Sequence, residues 1–234
     1  MKWVNKLSVL YHERKVGELT MTPDNRCCAF QYDKEWLVSG FSISPLDLPL
    51  TSNLFVAKPE PFWGNFGIFE DSLPDGYGRY LLSRLLRKEG IDDGKLTPIQ
   101  RLSIVGCSGM GALCYLPEAY INEDKSLPEL DEMQQMALDV LSEKSDIGED
   151  ILYFNSGNSG GCRPKCLVHN DEGDWLVKFR HTYDPKDMAQ MEYRYNEIAR
   201  RCGIQVADFK LLQGKFFASK RFDIEDGERV HVAT

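Results

Sequence analysis

Residues 156–179 hold the groups in this 234-residue chain that are best suited to chemistry. The segment opens Ser156-Gly-Asn-Ser-Gly-Gly-Cys-Arg-Pro-Lys165, rich in glycine and serine. Gly157, Gly160 and Gly161 carry no Cβ, so their amides can come close to a phosphate, with Ser159 between them. Trp175-Leu-Val-Lys-Phe179 then sets the charge of Lys178 between two apolar neighbours. Bare amides followed by a lysine on an apolar strand could hold a polyphosphate. The loop alone is weak, because it fits neither G-x-x-x-x-G-K-[ST] nor a full G-x-G-x-x-G. Flanking strands and the following lysine strengthen it.

A lysine in that role needs a carboxylate to orient it. The helix expected over 184–202 offers Glu192 and Glu197. Glu192 is preferred, with Met191, Tyr195 and Ile198 assigned to its face, and Glu197 is the fallback. Both are equally readable as solvated helix acids, and Lys178 as a strand-edge lysine reaching water. Alternation puts Arg163 and Lys165 on one face, toward phosphate or toward water. The stretch Phe216-Phe-Ala-Ser-Lys-Arg-Phe-Asp223 falls where a kinase places its hinge, which adds Lys220 and Phe222 to the candidate nucleotide contacts. Arg221 and Asp223 also read as a structural ion pair. The four histidines are scattered without partners at ligand spacing, and no serine has an evident base, so no metal or triad chemistry is expected. Asp71 and Asp75 flank a turn and are expected to cap the helix after it.

The elements that must position these groups fall into two blocks and a link. Residues 1–118 form a small β-rich domain: strands at Lys6–His12, Lys15–Met21 and Ala29–Asp33, then Trp36-Leu-Val, and a helix from about Arg79 to Lys88. Residues 119–150 are an acidic helical connector, with a helix starting near Pro128 whose stripe is Met133, Met136, Leu138 and Leu141. Residues 151–234 read as strand, glycine loop, strand 163–169, turn, strand 175–181, helix, then strands near 208–213 and 215–219. The expected class is α+β, with an antiparallel sheet and one main helix in the second block. That order is the order of the small lobe of a protein kinase.

A net charge of −8 and a pI near 5.1 exclude a chain that grips nucleic acid by itself. No apolar run approaches a membrane span, and Met1-Lys-Trp-Val-Asn-Lys6 lacks the apolar core of a signal peptide. The seven cysteines are an odd number without zinc-type spacing, so reduced thiols in a cytoplasm are expected.

With these residues laid out, the chain resembles the HipA family of bacterial toxin kinases along essentially its whole length. In the first block the marks are Val16-Gly-Glu-Leu19, Phe30-Gln-Tyr-Asp-Lys-Glu-Trp36, Leu46-Asp-Leu-Pro-Leu50, Phe69-Glu-Asp-Ser-Leu-Pro-Asp-Gly76 and Val105-Gly-Cys-Ser-Gly-Met-Gly-Ala-Leu113. In the second they are Gly160-Gly-Cys-Arg-Pro-Lys165, Trp175-Leu-Val-Lys-Phe179, Glu192, Arg221-Phe-Asp223 and Arg229-Val-His231. The resemblance implies a serine/threonine protein kinase that uses ATP and Mg²⁺. It also implies a HipB-like helix-turn-helix antitoxin that alone touches DNA, and a protein substrate such as an aminoacyl-tRNA synthetase. The autophosphorylated loop serine of the family is matched here by Asn158.

The family's catalytic aspartate and asparagine and its metal-binding aspartate are expected beyond Thr234, with the kinase large lobe. The chain therefore reads as the front of a toxin kinase, inactive by itself. The alternative is a non-catalytic binding module that engages an antitoxin or a separately encoded kinase subunit.

Overall fold

The computed structural model describes residues 4–119, 128–156 and 160–232. They fall into two compact units that do not follow chain order. One comprises residues 4–74, 90–119 and 228–232; the other comprises 75–89, 128–156 and 160–227. The architecture is α+β, as the sequence predicts.

The first unit is built on an antiparallel sheet. Strand β1 (Lys6–Tyr11) turns into β2 (Arg14–Met21) through His12 and Glu13, both at positive φ, 44° and 65°. That pair of left-handed residues makes the tight turn whose twist suits a hairpin. β3 (Cys28–Tyr32) follows, then α1 (Lys34–Ser39), β4 (Phe55–Val56) and α2 (Gly67–Glu70). Helix α3 (Gly76–Lys88) belongs to the other unit. α4 (Pro98–Val105) and β5 (Leu113–Leu116) complete the first, giving the strand order β4-β3-β2-β1-β5.

Alternation turns Leu7 and Val9 of β1 inward, onto a core with Leu19, Phe30, Trp36, Phe69, Leu102 and Tyr115. Trp36-Leu-Val, which follows the third strand in sequence, is helical because the Asp33 carboxylate accepts the Glu35 amide at 2.9 Å and caps α1. α4 starts on a capping box, Thr97 with Gln100, and carries Pro98 in its first turn. The return of the chain into β5 brings Cys107 and Cys114 to a Cα separation of 4.3 Å, joined as a disulfide. This corrects the expectation of seven reduced thiols, which counted cysteines without a fold to bring two of them together.

In the second unit α6 (Glu149–Ser156) packs with both α3 and α5 (Leu130–Leu141). The strand predicted at Ile151 is α6. Its apolar run Ile151-Leu-Tyr-Phe154 favours strand locally, but two acids at its start and the burial of Leu152 and Tyr153 select helix. On α5 the buried stripe is Met133, Ala137 and Val140 rather than the larger Met136, Leu138 and Leu141, which are half-buried. A second antiparallel sheet, in order β6-β7-β9-β8, contains β6 (Lys165–Asn170), β7 (Gly173–Lys178), β8 (Phe209–Leu212) and β9 (Phe216–Lys220). Helix α7 (Met188–Arg201) lies against β8 and β9. Cys166, Trp175, Val177, Phe179, Phe216 and Phe217 fill the core of this sheet. Among the described residues no helix is long and apolar enough to cross a membrane.

Candidate functional site: two opposed lysines beneath a glycine loop

The β6–β7 ladder sets Lys165 directly opposite Lys178. Residues so paired share one face of the sheet with their Cβ atoms about 5 Å apart, and two like charges there repel unless each is compensated. Lys178 pairs with the Glu192 carboxylate of α7, and its ammonium sits 5.4 Å from the centre of the Phe217 ring on β9. Glu197 is not its partner. Glu192 reaches Lys178 from the half-buried side of α7, which it shares with Tyr193 and Asn196, whereas Met191, Tyr195 and Ile198 are exposed. The partner named from the sequence is the one observed, but the helix face assigned to it is not.

Lys165 is only 4% exposed and turns back under the loop, donating to the carbonyl oxygens of Gly160 and of Gly161, the latter at 3.3 Å. Burial lowers its amine below the usual value; the charge of Asp75 opposes this and that of Lys178 adds to it. On the next position of the strand, burial pushes the Cys166 thiol up to about 12, so that side chain is packing and not a nucleophile.

Gly160 and Gly161 are exposed, and Gly161 has φ +97°, a conformation that suits glycine. Gly157 and Ser159 lie outside the described residues. The Gly161 amide donates to Asp75 Oδ1 at 2.9 Å, and its carbonyl accepts the Tyr77 amide at 3.1 Å. Asp75 occupies the N-cap position of α3 but makes no capping hydrogen bond with its side chain. This corrects the expectation that it caps that helix. It forgoes an interaction worth about 1 kcal/mol in favour of the loop. No spacing signal could have found this contact, because the two residues are 86 apart.

Arg163, part-exposed at the rim of the groove that Lys178 also lines, is held by an acid. It makes a two-point pair with Asp184 at 2.9 and 2.8 Å, and Asp184 also accepts the His181 amide. The guanidinium holds the Asp184 carboxyl below its usual range. Because Asp184 is buried, Arg163→Gln is expected to destabilise the protein by about 2 kcal/mol. The sign follows from the lowered carboxyl. The contribution is complete above the ordinary carboxylate range, near pH 4, and fades as pH falls through the folded value. Urea unfolding of the two proteins at pH 7 and at pH 3 checks both the size and the convergence.

Arg163, Lys178, Arg180, Lys186 and Lys215 line one groove with Glu192. On a chain of net charge −8 this is a local positive surface, of the kind that draws in anions. Lys220 stands opposite Trp175, three register steps from Phe217, the residue opposite Lys178, and Phe222 is 72% exposed. Neither side chain joins the two lysines. Arg221 and the fully buried Asp223 form a two-point ion pair at 2.9 and 2.6 Å. Among the described residues no His, Cys, Asp and Glu side chains converge as metal ligands.

Sequence comparison with protein families matches residues 7–116 to the HipA N-terminal domain and residues 157–234 to the HipA-like C-terminal domain. The chain belongs to the HipA family. Its HipA N-terminal match runs through α3, so the helix whose first turn grips the glycine loop comes from that part of the chain. No curated protein matches in sequence. Among solved structures it is similar to HipA of Shewanella oneidensis MR-1, from a toxin–antitoxin complex with HipB and operator DNA, at a TM-score of 0.60 and 20% identity. The likeness covers 97% of this chain and 53% of that HipA chain, so the present chain spans about half the length of the relative. At that identity it shows a shared fold.

Proposed function

We propose that this chain carries the nucleotide-holding portion of an ATP-dependent serine/threonine protein kinase of the toxin–antitoxin type. The observation that carries the reading is the pair of lysines on one sheet face beneath the glycine loop, Lys178 held by Glu192 and Lys165 by the loop itself. The residues fit the phosphates of ATP. Lys178 is fixed by Glu192 with its ammonium on the groove side, and the basic lining adds attraction. ATP, when bound, supplies the phosphoryl group for transfer to a protein hydroxyl. Around it Glu192 orients Lys178, the carbonyls of Gly160 and Gly161 hold Lys165, and Arg163 with Asp184 braces the approach to the strand that carries Lys165. Mg²⁺ is required by the proposed activity, but the described residues offer it no ligand set. The nucleophile's proton acceptor is likewise assigned to none of them.

A HipB-like helix-turn-helix protein is the proposed partner, DNA is reached only through it, and the cytoplasm is the proposed location. The alternative, a purely binding role, is separated by nucleotide preference. Recognition through phosphates requires ATP to bind at least tenfold more tightly than AMP in calorimetric titration at moderate salt. Equal affinity for both, or heat from neither, overturns the reading.

A further inference from the structure

The turn Leu73-Pro-Asp-Gly76 ends at the glycine loop, and three features meet there. The Asp75 carboxylate takes the Gly161 amide, the Tyr77 amide meets the Gly161 carbonyl, and Gly76 leaves room for both. A Cβ on Gly76 would lie 2.5 Å from the Gly161 oxygen and 3.0 Å from the Cys162 Cα, and its φ of +42° is itself unfavourable for other residues. One residue of the loop, Gly161, is therefore gripped at both its N–H and its C=O, through two successive peptide units, by Asp75 and the first turn of α3. Asp75 gives up capping its own helix to do so.

We propose that Asp75 is a positioning residue for the glycine loop, fixing Gly161 so that the Gly160–Gly161 backbone is held against Lys165, opposite Lys178, in the geometry that receives phosphate. The role follows from the chemistry of the contact. Gly161 lacks a side chain to restrict it, and the backbone freedom of a glycine is costly to remove. An anionic acceptor on an amide is a strong, directional way to remove that freedom before a ligand arrives. The carboxylate also lies near Lys165, whose buried ammonium takes the carbonyls of Gly160 and Gly161. Acid, loop and lysine thus form one connected set. The proposal rests on the reading of the loop as a phosphate holder.

The test compares the unaltered chain with Asp75→Asn and Asp75→Ser. Asparagine keeps an oxygen acceptor in the same place. Serine remains a good helix N-cap but is one bond too short to reach Gly161, so α3 is preserved while the loop contact is lost. Two quantities are read on the intact protein: hydrogen exchange of the amides at 160–162, and ATP affinity by titration. Asp75→Ser is expected to speed exchange at Gly161 at least tenfold and to weaken ATP at least fivefold, with an unchanged melting temperature. Asp75→Asn, which keeps the acceptor and loses the charge, is expected to fall between the parent and Asp75→Ser in both. Faster exchange with undiminished ATP affinity would overturn the positioning role and leave a packing contact. Unchanged exchange in Asp75→Ser would show that Asp75 does not hold the loop. Faster exchange in a protein whose parent form binds no ATP would instead bring down the phosphate reading, and the role assigned to Asp75 with it.

Discussion

Lys178→Ala is expected to weaken ATP binding about 100-fold, close to 2.7 kcal/mol. The size comes from what the side chain does and what its loss leaves behind. Lys178 is a part-buried cation fixed against Glu192, with an aromatic face beneath it, so little side-chain freedom remains to be lost when a phosphate arrives. Removing it strands the Glu192 carboxylate at the edge of the groove, where an unpaired negative charge repels phosphate as well as failing to attract it. Glu192→Gln keeps the cation but loosens it, and a smaller loss of about tenfold is expected. Binding isotherms of the three proteins at one salt concentration give both numbers. Equal affinities across the series would mean that phosphates do not sit against this pair.

The largest effect on stability is expected at Arg84. Glu149, at the start of α6, is fully buried and held by Arg84 and by Lys88 of α3, the latter at 2.8 Å. Breaking a buried ion pair from one side leaves a charge in low dielectric, which typically costs 3 to 5 kcal/mol. Arg84→Met should fall at the lower end, about 3 kcal/mol, because Lys88 remains. The same physics predicts a rescue: Arg84→Met combined with Glu149→Leu should recover most of the loss, since both the guanidinium and the buried carboxylate are then gone. Urea unfolding of the two single variants and the double variant measures this coupling. Purely additive effects would show that the pair does not act as a unit.

Much of this was legible in the sequence because the signals were local. The hairpin of β1 and β2, the strand pair around Asn170-Asp-Glu-Gly173 and the lone charge of Lys178 each declare themselves within a short stretch, Lys6–Met21 or Lys165–Lys178. Glu192 could be named as a partner because helix and strand adjoin in sequence, although the face assigned to it was wrong. Other features depend on tertiary contact. Ile151-Leu-Tyr-Phe154 has the composition of a strand and becomes a helix by packing in the second unit, with Glu149 buried against α3. Ala137 and Val140, with Met133, take the buried side of α5, and Met136 and Leu138 are left half-buried because the packing of the neighbouring helices, not the size of the side chains, chooses the face. Alternation leaves Arg163 open between phosphate and water, and it is Asp184, 21 residues away, that holds it. Asp75 looked like a helix cap for the same reason, since nothing within its own turn shows that the glycine loop will arrive beside it.

The most direct test is a crystal structure of the protein with a non-hydrolysable ATP analogue at saturating concentration. Phosphate oxygens are expected within about 3 Å of Lys178 Nζ, with the Lys178–Glu192 pair retained and Gly161 still on Asp75. An analogue whose phosphates lie away from Lys165 and Lys178, or no analogue bound beside them at all, would contradict this expectation.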